Sequence, residues 1–266
     1  MPNNARLIDT HAHVAAAQFD EDRADVLARA TETGVTRIIE VGYDLESSRA
    51  AVALAESHPQ IYAVVGIQPN HAHEAPEDWA DQLRALAARP RVVGIGEIGM
   101  DYHWMAAPAE LQERLFRDQL ALARELALPV VIHSREAQAD TLRILGDAAR
   151  GQPGIMHSFS GSWAYAQACL EIGFLLSFSG PLTFPKATDL HEVARMAPLE
   201  MLLTETDSPY LSPHPHRGKR NEPARVRLVA ERLAALRDMP LAALADQVWR
   251  NAERIFRNAE VSTQIS

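Results

Sequence analysis

Short apolar runs of strand type recur along the chain at Leu7-Ile8, Arg37 to Val41, Ile61 to Val65, Val92 to Ile95, Pro129 to Ile132, Gly154 to Met156, Phe174 to Ser177 and Met201 to Leu203. They lack polar alternation, which is the pattern of strands buried on both faces of a parallel sheet. Between them, apolar residues return at helical spacing, as in Leu111, Leu115, Leu122 and Leu126, or Val226, Val229, Leu233 and Leu236. Eight strands alternating with helices predict an α/β fold of the (β/α)8 barrel type; a doubly wound open sheet shares the periodicity but fits the count and order less well. One more amphipathic helix is marked by Leu241, Leu244, Val248, Ala252 and Ile255, with Pro240 near its start. The polar residues 257–266 are expected to fray. With no internal repeat, low-complexity tract or linker, residues 1–266 are expected to form a single domain.

Composition narrows the class. At 266 residues and 47% apolar, the chain can bury a full core, which excludes disorder. Its longest apolar stretches fall far short of the roughly 18 residues of a membrane span, and its N-terminus has no signal pattern. A single cysteine, Cys169, cannot close an internal disulfide, so a reducing, cytoplasmic location is expected. The 35 acidic and 26 basic side chains leave a net charge of −9, which argues against a broad electrostatic grip on a polyanion.

The candidate chemistry lies where the strands end. His11 and His13 follow the first run with a spacing of two, so both rings share one side. Glu97 ends the fourth run, His133 the fifth and His157 the sixth, and Asp207 lies just after the eighth. In a barrel all strands end on one face, so these six side chains converge although they span positions 11 to 207. Each alone is compatible with a capping or core-satisfying role; together, buried carboxylates and imidazoles call for a divalent cation such as Zn²⁺ or Mn²⁺. Six ligands exceed the needs of one tetrahedral zinc, which points to two adjacent ions bridged by a carboxylate, Glu97. A second cluster, His214, His216, Arg217, Lys219, Arg220, Arg225 and Arg227, contains one acid, Glu222, and reads as an anion site on the same face or as a solvated basic loop. Pro223 suits the first turn of the helix that follows.

The motifs Leu7-Ile8-Asp9-Thr10-His11-Ala12-His13, Gly96-Glu97-Ile98-Gly99-Met100-Asp101-Tyr102, His133-Ser134-Arg135, His157-Ser158-Phe159-Ser160-Gly161, Glu205-Thr206-Asp207-Ser208-Pro209-Tyr210-Leu211 and His216-Arg217-Gly218-Lys219-Arg220-Asn221-Glu222-Pro223 resemble those of the TatD family of metal-dependent deoxyribonucleases, amidohydrolase-like barrels, over essentially the whole chain. The resemblance implies divalent-metal binding by His11, His13, Glu97, His133, His157 and Asp207, and hydrolysis of phosphodiester bonds in DNA. Two positions depart from the family pattern. Gly66-Ile67-Gln68-Pro69-Asn70 has Gln68 where the family commonly has a histidine; Gln68 can donate a hydrogen bond but carries no proton or charge, unless His71 or His73 substitutes. Trp104 stands where a basic residue is usual, and is expected to pack under its loop, the alternative being stacking on a base.

The expected activity is a nuclease working on single-stranded ends with two divalent ions (Zn, Mg or Mn). Asp207 orients or deprotonates the attacking water, Glu97 bridges the ions, and Arg217, Lys219, Asn221 and Gln68 contact the substrate. DNA is the expected partner, with no membrane and no obligate protein partner. The alternatives are hydrolysis of another amide or ester, including an aminoacyl ester on RNA, and a non-enzymatic metal-binding protein.

Overall fold

The computed structural model describes residues 5–256, so the tail at 257–266 lies outside the described residues. Each apolar run forms a strand: β1 (Leu7–Ala12), β2 (Val35–Val41), β3 (Ile61–Val65), β4 (Val92–Asp101), β5 (Val130–Arg135), β6 (Gly154–Met156), β7 (Leu175–Phe178) and β8 (Leu202–Thr204). They pair in parallel in chain order. The last strand is only three residues long, and the ring is completed by the segment after it. Ser208 bridges Ala12, the His13 amide donates to the Ser208 carbonyl at 2.8 Å, and the Asp207 amide donates to the His11 carbonyl at 2.9 Å. The result is a nearly closed (β/α)8 barrel, and the bonds that close it set Asp207 beside His11.

The helices are α1 (Arg23–Glu32), α2 (Leu45–Ser57), α3 (Trp79–Ala87), α4 (Ala109–Glu125), α5 (Gln138–Ala148), α6 (Trp163–Ile172), α7 (Thr188–Met196), α8 (Val226–Leu236) and α9 (Leu241–Ile255). Local chemistry sets several of their ends. Asp44 accepts from the Ser47 amide at 2.7 Å while Ser47 Oγ accepts from the Asp44 amide at 2.9 Å, a reciprocal cap that starts α2. The extra helix α9 lies over β1, β8 and α8, covering the seam where the ring closes. Its buried Asn251 donates to the carbonyls of Leu199 and Leu202 at 2.9 and 2.8 Å. Phe19, Phe116, Phe174 and Phe178 are among the side chains wholly withdrawn from water, each contributing about 1.5–3 kcal/mol relative to exposure. None of the described helices is long and apolar enough to cross a membrane.

One strand differs from its sequence reading in a way that matters for the site. β4 does not end at Glu97 but continues to Asp101, and its pairing with β5 shifts register between Ile95 and Ile98. A side chain at Gly96 would bring its Cβ to 2.7 Å from Val131 Cβ and O, so only glycine lets the two strands approach at this irregularity. Glu97, the next residue, thereby turns into the barrel mouth.

Candidate metal centre

The strand ends bring six predicted side chains together, each between 0 and 15% exposed. His11 sits in β1, His13 just beyond it, Glu97 in the middle of β4, His133 in β5, His157 directly after β6 and Asp207 three residues after β8. Nε2 of His11 and Nε2 of His13 face each other at 3.2 Å. Glu97 Oε2 lies 3.7 and 4.0 Å from these two nitrogens, and Asp207 Oδ1 lies 3.8 and 3.4 Å from them. The other oxygen of Glu97, Oε1, lies 2.7 Å from His133 Nδ1 and 3.0 Å from His157 Nε2, which are 3.3 Å from each other. Donors around a tetrahedral ion held at 2.0–2.1 Å are separated by about 3.3 Å. The separations in the two groups, 3.2–4.0 and 2.7–3.3 Å, lie around that spacing, and the chemistry of the donors, imidazole nitrogen and carboxylate oxygen, suits a borderline divalent cation. Two nitrogen lone pairs aimed at one point repel unless a proton or a cation lies between them.

The ligands are aimed by groups that sequence reasoning did not assign. Nδ1 of His13 donates to the Val41 carbonyl at 2.7 Å. Nε2 of His133 lies 2.9 Å from Asp101 Oδ2, and Nδ1 of His157 lies 3.3 Å from Glu205 Oε1, which also accepts from the Ser158 amide at 2.7 Å. Asp9 accepts from the amide and hydroxyl of Thr206 at 2.8 and 2.5 Å, tying β1 to the Asp207 turn. Asp207 itself holds φ at +55°, a left-handed conformation that Asp tolerates better than most residues. The signal for these partners was present in the motifs, since Asp9, Asp101 and Glu205 are each within four residues of a ligand in sequence. A period of two placed none of them, because each reaches its partner across strands. Such partners fix the ring tautomer that leaves a lone pair toward a metal.

Charge states follow. His11, fully buried, has its pKa lowered by desolvation and then by the neighbouring His157 and His13, so it presents a neutral ring. For His13 burial opposes protonation, but the hydrogen bond and charge of Asp207, then Glu97, outweigh it and lift the pKa to about 9. Burial raises the pKa of Glu97, and His157 and His133 more than reverse this, holding it ionised. In the same way burial is overcome at Asp101 by hydrogen bonds from His133, the Trp104 amide and Asn70, which lower its pKa to about 2. The centre therefore collects carboxylates and imidazoles whose excess protons a cation would replace.

The metal centre lies in the wall of a cavity of about 760 Å³, the size of a small-ligand site. Gln68 lines it, and its Oε1 accepts from the Asn70 amide at 2.9 Å. His71 also lines it, with Nδ1 2.8 Å from Glu74 Oε2, while His73 is exposed elsewhere in the loop. The expected phosphate contacts are placed differently. Asn221 is fully buried: Nδ2 donates to the Thr206 carbonyl at 2.9 Å and Oδ1 accepts from the Glu222 amide at 3.0 Å. It braces the Asp207 turn and does not face a substrate. Arg217 and Lys219 are exposed and do not line the cavity, the Arg217 guanidinium lying 4.3 Å from the Phe184 ring centroid. Three other members of the cluster bond within the fold. Arg220 pairs with Asp22 at 2.6 Å, Arg225 donates to the Arg220 carbonyl at 2.6 Å, and Arg227 pairs with Glu231 at 2.9 Å. Glu222 accepts from Arg29 at 2.7 Å, and Pro223 opens a single 3₁₀ turn, not α8 itself. Among the cavity-lining residues one guanidinium is present, that of Arg135 in β5.

Residues 8–257 match the family described as TatD related DNase. The chain is 44% identical over 252 residues to the uncharacterized metal-dependent hydrolase YabD of Bacillus subtilis, covering 94% of this chain and 99% of YabD. It is 34% identical over 257 residues to the 3'-5' ssDNA/RNA exonuclease TatD of Erwinia tasmaniensis, covering 94% and 99% of the two chains. The crystal structure of YJJV, a TatD homologue from Escherichia coli, superposes with a TM-score of 0.89 at 32% identity over 97% of this chain and 99% of that one.

Proposed function

Because the chain belongs to the TatD family of metal-dependent hydrolases, we propose that it is a phosphodiesterase of the cytoplasm, using two divalent ions to remove nucleotides from single-stranded ends, with DNA as its substrate. The observation that carries this reading is the division of Glu97: one oxygen faces His11 and His13, the other His133 and His157. One ion would be held by His11, His13, Asp207 and Glu97 Oε2, the other by His133, His157 and Glu97 Oε1. Bound there, Zn, Mg or Mn supplies Lewis acidity that activates water and neutralises phosphoryl charge. The Asp207 carboxylate, 13% exposed at the cavity wall, orients the attacking water and takes up its proton. The Arg135 guanidinium holds a nonbridging phosphate oxygen inside the cavity as a fork, and Gln68 donates a hydrogen bond to the leaving side. Arg217 and Lys219, outside the cavity, meet phosphates further along a longer strand. A net charge of −9 keeps the grip local, so product is released easily. The name carried by the Erwinia relative supports both the single-stranded substrate and the terminal mode of attack.

The test is a metal-by-substrate screen. Protein stripped of metal and resupplied with Mg²⁺, Mn²⁺ or Zn²⁺ should shorten labelled single-stranded DNA stepwise, with duplex DNA cut more slowly. Asp207→Asn should reduce the rate by about 10²- to 10⁴-fold, the usual worth of a positioned general base. Equal activity of that variant refutes the mechanism. Turnover of small esters or amides with no cleavage of nucleic acid refutes the substrate class and favours the other hydrolytic reading.

A further inference from the structure

Trp104 was expected to pack under its loop, yet it is 65% exposed and lines the cavity beside Arg135. Two features hold it in place. Asp101 Oδ1 accepts from the amides of both His103 and Trp104 at 2.9 Å, while Oδ2 of the same carboxylate lies 2.9 Å from the ring of His133. The backbone that carries the indole is thus anchored to the residue that aims a metal ligand, and ring and metal centre keep a set relation. The second feature is charge: the Arg135 guanidinium lies 5.5 Å from the indole centroid, and the His103 ring meets the indole edge-on at 4.9 Å. Tyr210 and Leu211 are 50 and 40% exposed and also line the cavity, with the Tyr210 ring 6.1 Å from that of His13. Three of the exposed large apolar side chains, Trp104, Tyr210 and Leu211, thus line the cavity that holds the candidate metal centre. An exposed indole next to a guanidinium offers a π-face to a base and a cation to its phosphate, the combination by which single strands are held without regard to sequence. Bases inside a duplex are already stacked on each other and have no free face to offer.

We propose that Trp104, with Arg135 beside it, is a base-stacking subsite for a nucleotide flanking the scissile phosphate, and that it sets the preference for unpaired ends. This rests on the phosphodiesterase reading above. The experiment compares wild type, Trp104→Ala and Trp104→Phe on single-stranded oligonucleotides that are intact or carry an abasic nucleotide on one or the other side of the terminal linkage. On the intact strand Trp104→Ala should raise KM by roughly 5- to 150-fold, the usual worth of one base stack, and Trp104→Phe should recover most of it. Wild type should suffer a similar loss on one of the abasic strands, and there the alanine substitution should add less than about twofold. An unchanged KM for Trp104→Ala, an undiminished penalty on both abasic strands, or a fall in kcat with KM constant overturns the subsite while leaving the phosphodiesterase reading intact. Wild-type protein that cleaves none of the strands overturns both.

Discussion

Asp101→Asn tests whether buried partners aim the metal ligands. In the wild-type protein Asp101 Oδ2 accepts from His133 Nε2 at 2.9 Å and from Asn70 Nδ2 at 3.1 Å, while Oδ1 receives two loop amides. That acceptor keeps a proton on Nε2 of His133 and leaves Nδ1 free to face Glu97 and His157, at 2.7 and 3.3 Å. In the variant the amide oxygen can retain the loop amides, and its NH₂ then points at His133 and at the NH₂ of Asn70. The imidazole meets a donor where it needs an acceptor, so its proton moves to Nδ1, where a metal requires a lone pair. Loss of such a partner costs about 10- to 100-fold in metal affinity, or about 1.4–2.7 kcal/mol. The loss should fall on the site of His133 and His157 alone, since His11 and His13 make no hydrogen bond to Asp101 among those described. A titration with Zn²⁺ against a chromophoric chelator reads the two stepwise constants. One should drop within that range and the other change by less than about twofold. Two unchanged constants would refute the tautomer argument, and equal losses at both sites with a lowered Tm would show a general loosening of the barrel mouth instead.

Two further outcomes follow from the charge states. In the metal-free protein the pKa of His13 stands at about 9, above its ordinary value near 6.5, so the stabilisation it contributes is complete below about pH 6.5 and is lost as pH rises through about 9. Without metal the Tm should accordingly fall between pH 7 and 9.5, whereas apparent metal affinity should rise over the same interval because fewer protons must be displaced; scanning calorimetry with EDTA and with Mn²⁺ measures both, and a metal affinity independent of pH would contradict the assignment of His13 as a ligand. Cys169 is fully buried and burial pushes its thiol pKa up to about 12, so Ellman's reagent should label it only on unfolding, and rapid labelling of the native protein would show that the α6 packing is wrong.

Periodicity together with the number and order of the apolar runs pointed to the architecture. Runs such as Ile61–Val65 and Gly154–Met156 became strands with the predicted bounds, because burial on both faces leaves a signal in every residue of the run. It also pointed to six candidate ligands as one converging set, since strand ends in a barrel share one face whatever the loops do. What it could not supply was any relation between side chains brought together from distant strands. Asp22 neutralises Arg220 from 198 positions away, and Glu231 pairs with Arg227, so two guanidinium groups of a stretch that read as an anion site are taken up by the fold's own carboxylates. Asn221 looked polar and available, yet the turn after β8 closes over it and uses both ends of its amide. Glu97 was placed at a strand end, but β4 runs four residues further past a register shift where Gly96 lies close against Val131, and so brings Asp101 to His133. The exposure of Trp104 is of the same kind, because it follows from the anchoring of its loop by that carboxylate. Periodicity is a property of neighbours along the chain and survives in the sequence; pairing of charges and burial of single polar groups depend on which strands meet, and only the closed barrel decides that.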